Sequence, residues 1–276
     1  MKLHQFLYLF LCFCLITACE DVVDIKLKKG HPVLVVDGWL TNKRETQYVN
    51  LYYTRGISQS KDYQPAGNAR LVLSDDAGHR EVLTETDPGK YAIKTIKGAT
   101  GRTYKLSVET EDGTYEAVSL MPRIGLIPDT LAFHYREKSL VYPNPGFYPL
   151  LSAQELEGKG DRVQIKLYKN GIYQNKANDL NLFSDDHADS YYIFNMELDV
   201  DSPYVKGDRI RAEIWSLNED AWLFWKDVEG QLHNAQIFAT PLTNSRSNLK
   251  KLTPESGDVT GYFGTSIVRS KETVVK

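Results

Sequence analysis

The sequence predicts a mainly β protein: an N-terminal sandwich of the immunoglobulin type, then a second β-rich domain carrying one amphipathic helix. Three observations predict it. Between residues 33 and 120, apolar and polar residues alternate with period two, and Asp/Gly/Pro turns recur at the roughly 8–12-residue spacing of a sandwich. The chain is rich in aromatics, with 17 Tyr, 10 Phe and 4 Trp, the residues that pack across strands. Only one stretch, 218–232, repeats its apolar residues at helical spacing.

The elements follow in order. Val33-Leu34-Val35-Val36 opens the first strand. Residues 47–54 set Tyr48, Asn50 and Tyr52 opposite Val49, Leu51 and Tyr53. Strands at 69–74 and 81–84 flank the turn Asp75-Asp76-Ala77-Gly78, and Asp87-Pro88-Gly89 precedes a strand at 91–96. Residues 103–110 turn Tyr104, Leu106 and Val108 inward, and Glu111-Asp112-Gly113 leads into 114–120. Pro122 and Pro128 bracket the expected domain boundary, because proline breaks strand pairing.

Beyond it, strands are expected at 130–136, 162–169, 190–199, 208–217 and 259–268, with a hairpin turn at Lys169-Asn170-Gly171. Residues 137–160 and 240–257 read as long loops, being rich in Pro, Gly, Ser and Asn. In the helix, Ala221, Trp222, Trp225, Val228 and Leu232 share one face, Asn218 can cap it, and Glu219-Asp220 favour its dipole. The expected organisation is 1–18 signal peptide, 19–32 tether, 33–122 sandwich and 123–276 second domain.

The first nineteen residues carry the most specific pattern. Lys2 gives a positive start, and residues 6–16 form an apolar run about half the length needed to span a bilayer. Leu15-Ile16-Thr17-Ala18-Cys19 reads as a lipobox, so Cys19 is the expected lipidation site. All 3 cysteines lie within this segment, so the mature chain can form no internal disulfide and must rely on core packing. The acyl chains would then anchor the protein to a membrane. Removing residues 1–18 from 276 leaves 258, too long for one ordinary sandwich. Losing Lys2 takes the net charge from −3 to −4, which disfavours nucleic acid as a partner.

Catalytic motifs are absent from the sequence: it has no Gly-x-Ser-x-Gly, no His-Glu-x-x-His and no phosphate-binding glycine loop. His31, His79, His134, His187 and His233 lack ligand spacing, and no cofactor or metal is expected. Asp75-Asp76 reads as a turn pair. Asp185, Asp186 and Asp189 offer three carboxylates to a calcium ion, but their spacing is not that of an EF-hand, and a solvated loop is the preferred reading. The aromatic loop 142–149 is weighed as a contact surface against ordinary cross-strand packing, which is preferred.

Several segments together resemble a lipoprotein family of Bacteroidota, domain of unknown function 4249. They are Cys19-Glu20-Asp21-Val22-Val23-Asp24-Ile25; Leu34-Val35-Val36-Asp37-Gly38-Trp39-Leu40-Thr41; and the run from Ala69-Arg70-Leu71-Val72-Leu73 through Gly101-Arg102-Thr103-Tyr104 and Asp112-Gly113-Thr114-Tyr115 to Met121-Pro122. Asn218-Glu219-Asp220-Ala221-Trp222-Leu223-Phe224-Trp225 and Val259-Thr260-Gly261-Tyr262-Phe263-Gly264 complete the set. The resemblance implies an N-terminal sandwich like carboxypeptidase regulatory or transthyretin-like domains, and a gene neighbourhood rich in TonB-dependent outer-membrane transporters. It supplies no catalytic residues. In its light the acids after Cys19 read as a surface-export tag. The expected function is a non-enzymatic, surface-exposed outer-membrane lipoprotein, a binding or accessory component of TonB-dependent nutrient uptake. The alternatives are a surface hydrolase of glycans or peptides, or an adhesive module.

Overall fold

Alternating burial along 34–41 sets the architecture: Leu34, Val36 and Leu40 face a core while Val35, Asp37 and Trp39 face away from it. The computed structural model describes residues 31–56, 63–186, 189–234 and 243–276. Cys19 and the tether up to Gly30 lie outside them. Residues Pro32–Lys276 form one compact unit.

In the first half, β1 (Leu34–Thr41), β2 (Gln47–Tyr53), β3 (Gln64–Pro65), β4 (Arg70–Asp75), β5 (Arg80–Val82), β6 (Thr84–Asp87), β7 (Lys90–Ile93), β8 (Thr103–Thr110) and β9 (Gly113–Leu120) follow one another. The segment expected as one strand at 81–84 divides. β5 pairs with β4, β6 pairs with β7, and buried Leu83 marks the switch between sheets. In the second half come β10 (Leu126–Arg136), β11 (Gly146–Glu155), β12 (Arg162–Lys169), β13 (Ile172–Tyr173), β14 (Asn181–Ser184), β15 (Tyr192–Glu197), β16 (Arg209–Leu217), helix α1 (Glu219–Leu232), β17 (Leu249–Lys251), β18 (Val259–Ser266) and β19 (Val268–Val274).

Four sheets result. Sheet one runs β18-β1-β2-β7-β6, with β3 on β2, and sheet two runs β17-β9-β8-β4-β5. They share a core of Leu34, Val36, Val49 and Leu51 against Leu71, Leu73, Tyr104, Leu106 and Val108. Sheet three is β10-β11-β15, and sheet four is β13-β12-β16-β19, with β14 on β12. Leu131, Leu151 and Ala153 belong to the same apolar cluster as Ile165, Leu167, Ala212 and Ile214. Asn170 (φ 51) and Gly171 (φ 87) form the expected hairpin turn, both in the left-handed region it requires.

Further features depart from the sequence reading, among them β17 inside the expected loop 240–257, where it pairs with β9. The expected loop 137–160 contains β11, whose Pro149 sits inside the strand. Pro128 does not end pairing: it lies in β10, beside a register shift between Pro128 and Thr130 on the sheet's edge strand, where a missing N–H is tolerated. The expected terminal strand 259–268 is two strands in two sheets. β18 pairs parallel with β1, and β19 pairs antiparallel with β16. The chain therefore crosses residues 121–128 and later returns, with β17 and β18 completing both sheets of the N-terminal sandwich.

Candidate functional site

The outer face of β1 and β2 meets the outer face of β12 and β16, and the most chemically distinctive cluster lies between them. Period two fixes who is there. On β12, Val163, Ile165 and Leu167 face the core, leaving Lys166 and Tyr168 on the other side. On β16, Ile210, Ala212 and Ile214 face the core, leaving Arg211, Glu213 and Trp215. The register sets Lys166 opposite Glu213 and Tyr168 opposite Arg211.

Trp39 is the hub. Its ring lies over Gly264, where a Cβ would collide with it. It stacks on Tyr262 at 5.9 Å and on Trp225 of α1 at 6.2 Å, and meets Trp215 edge-on at 6.2 Å. Lys166 Nζ sits 3.5 Å from the Trp215 ring centroid, with Trp39, Tyr173 and Trp225 at 5.6, 5.8 and 5.9 Å. The amine thus occupies an aromatic cage whose ring faces attract a cation.

Glu213, only 2% exposed, organises the charges. Lys43 Nζ donates to both its oxygens at 2.8 and 2.7 Å, and Trp215 Nε1 donates at 3.0 Å. Arg211 Nε lies 3.2 Å away. Burial brings the Lys166 pKa down to about 7, against the opposing pull of Glu213. Asp37, at the open rim, has its carboxyl pKa raised by the walls that desolvate it, although Asn50 and Lys166 oppose the shift. Tyr52 and Tyr173 are pushed up to about 12, chiefly by burial, so both stay hydroxyl donors at neutral pH.

Above this network opens a cleft of about 290 Å³, walled by Trp39, Trp215, Tyr168 and Tyr48 and rimmed by Asp37, Lys43 and Asn50. Ring faces beside hydroxyl and amide donors and the carboxylates of Asp37 and Glu45 suit a polar ligand with an apolar face. A wider groove of about 750 Å³ beside the start of α1 is lined by surface side chains such as Glu116, Val118 and Arg246.

One expected result follows from Lys166. Unfolded, a lysine titrates at about 10.4, so between about pH 7 and 9 the unfolded chain holds a proton that the folded chain has shed. Stability should therefore rise with pH across that window. Lys166→Met should flatten the rise and leave stability at pH 7 equal or higher, because an apolar side chain carries no desolvation cost. Urea midpoints of both proteins at pH 7 and 9 check this; parallel slopes would place the titrating group elsewhere.

The residues singled out from sequence fall as follows. Cys19 lies outside the described residues, as does His187. Asp75 accepts from Ala77 N, His79 N and His79 Nδ1 within its turn, and Asp76 accepts from Thr103 N. Asn218 caps α1 by accepting from Ala221 N at 2.8 Å, with Glu219 and Asp220 in the first turn. Trp222 and Trp225 pack around Ala221, while Leu232 is exposed. The rings of loop 142–149 turn onto neighbours: Tyr142 meets Tyr148 at 4.8 Å, Phe147 meets Tyr135 at 5.3 Å, and Tyr142 donates to Glu197 at 2.8 Å. Asp185 is buried, and its carboxylate accepts from Gly160 N and Asp161 N. Asp189 accepts from Gly158 N, whereas Asp186 is exposed and bonds Ser184. Beside Asp185 lies Glu155, whose carboxyl pKa is raised by burial, with the charges of Asp185, Asp189 and Asp161 adding to the shift.

Sequence reasoning missed Lys166, Glu213 and Trp215. Their alternation marks a solvent face, and only the covering of that face by β1 and α1 buries them.

No curated protein matches the chain. Among solved structures it is similar to a two fibronectin type-III domain segment from chicken tenascin, at 13% identity, with 68% of this chain and 92% of that chain covered and a TM-score of 0.21. It is also similar to the BSP domain of a biofilm associated protein, at 10% identity, covering 67% of this chain and 26% of that one, with a TM-score of 0.19. The sequence matches the family described as Domain of unknown function (DUF4249) across residues 20–272, and the chain belongs to that family.

Proposed function

We propose that this protein is an outer-membrane lipoprotein, acylated at Cys19 and displayed on the cell surface, that serves as a non-enzymatic binding or accessory component of a TonB-dependent nutrient-uptake system. The observation that carries the reading is the lipobox Leu15-Ile16-Thr17-Ala18-Cys19, followed directly by Glu20 and Asp21. No helix among the described residues is long and apolar enough to cross a membrane; the proposed anchor is the lipid on Cys19. The cleft at Trp39 and Trp215 supplies ring faces, hydroxyl donors and the Asp37 carboxylate, which suits capture of a glycan or peptide before its transfer to a transporter.

The test is fractionation of cells producing the full chain or Cys19→Ala, fed a labelled fatty acid. The wild type should carry label, sediment with outer membranes and be digested by protease added to intact cells. Cys19→Ala should lose label and membrane association together. Label on both proteins, or neither, would overturn the anchor. Protection of labelled wild type in intact cells would overturn surface display.

A further inference from the structure

The end of β11, the turn after it and the two ends of the β14–β15 connection bring four carboxylates together. Glu155 closes β11, Asp161 precedes β12, Asp185 follows β14, and Asp189 leads towards β15. One oxygen from each of Glu155, Asp161 and Asp185 lies within 4.8 Å of the others. Asp189 acts electrostatically on Glu155 from the same side. Arg123 offsets one charge by gripping both oxygens of Asp161, at 3.0 and 2.5 Å. Three negative charges of the four remain uncompensated by it.

An acidic cluster on a surface needs no ion, since water serves each oxygen. Glu155 is different. Its residue is 5% exposed, and Oε2 accepts from Ser190 N while buried Oε1 has no hydrogen-bond partner. A buried carboxylate oxygen without a donor costs free energy unless something positive meets it. No hydrogen-bond donor among the described residues does so.

We propose that Glu155, Asp161 and Asp185, with Asp189 beside them, bind one hard divalent cation, calcium. The ligand chemistry fits: calcium takes six to eight oxygens at about 2.3–2.6 Å in a flexible geometry, whereas magnesium at about 2.1 Å demands a near-ideal octahedron. Carboxylates retain lone pairs for a metal while accepting backbone N–H bonds, so the Gly160 and Asp161 amides that orient Asp185 do not compete with the ion. The loop is shaped to wrap it. Gly158 and Gly160 take φ values of 111° and 100°, which turn the backbone around the cluster. The ion ties β11, β12, β14 and β15 together at one corner.

The test uses the purified full chain stripped with EDTA. Calorimetric titration with calcium chloride should show one site per chain, with a dissociation constant of about 10⁻⁵–10⁻³ M, and at least tenfold weaker magnesium binding. Calcium at 10 mM should raise the melting midpoint by about 3 °C or more. Glu155→Gln should be at least as stable as wild type in EDTA, because acid–acid repulsion is relieved, yet lose at least tenfold in calcium affinity. Asp186→Asn, outside the cluster, should bind as wild type. Absence of heat and midpoint shift in the folded wild type would overturn the site. Equal calcium binding by Glu155→Gln would overturn its placement. A Glu155→Gln chain destabilised in EDTA, with a calcium-indifferent wild type, would assign the cluster to structure alone.

Discussion

Glu213→Ala should lower the melting midpoint by roughly 6–20 °C. Removing one partner of a buried ion pair costs about 3–5 kcal/mol, and each kcal/mol shifts a chain of this size by about 2–4 °C. Several groups lose their counterpart at once, Arg211 Nε among them. Lys43 Nζ loses both acceptors, Trp215 Nε1 loses its bond, and Lys166, opposite on β12, loses the nearest opposing charge. Glu213→Gln keeps the volume and one carbonyl acceptor, so its loss should be about half as large. The Lys43→Ala and Glu213→Ala cycle should show strong coupling, since the two residues share one interaction. Thermal melts of the four proteins check this. Additive losses, or a shift of a degree or two for Glu213→Ala, would mean that solvent already screens the network.

The second large effect concerns the chain's end. A stop after Gly257 should abolish cooperative unfolding altogether. It removes β18, the parallel partner of β1 along its whole length, and β19, the partner of β16. The first sheet would lose an edge that buries Phe263 at 0% exposure, and the fourth would lose the strand following Ile267. The contact is close: a Cβ at Gly261, where φ is 98°, would collide with the Val36 carbonyl. Phe263→Ala is the milder version, with an expected loss of about 3–5 kcal/mol from the cavity and lost burial. Limited proteolysis and near-ultraviolet circular dichroism read both. A truncated chain that melts cooperatively would show that residues before 258 fold without their C-terminal partners.

The period-two pattern was legible wherever one face is buried and the other wet. Residues 103–110 place Tyr104, Leu106 and Val108 in the core as the alternation requires. The helix was legible because Asn218, its acids and its aromatic stripe agree. Illegibility had three physical causes. The segment holding β11 reads as loop because Pro143, Pro145 and Pro149 resist a strand, yet pairing with β10 overrides this. The destination of β18 and β19 depends on long-range pairing that local sequence does not encode. The charged cleft was invisible because Lys166 and Glu213 occupy positions that alternation assigns to water, and tertiary covering buries them. Likewise Asp185 was noticed but Glu155, thirty positions earlier, was not, since only the pairing of β11 and β12 with their neighbours brings the two together.

The central functional claim is partnership with an uptake transporter, and one measurement addresses it directly. The tagged full chain and its Cys19→Ala variant are purified from native membranes in mild detergent, and what accompanies each is identified by mass spectrometry. A β-barrel TonB-dependent transporter should accompany the wild type in stoichiometric amount and be lost with Cys19→Ala. Recovery of the lipidated wild type alone would contradict the partnership.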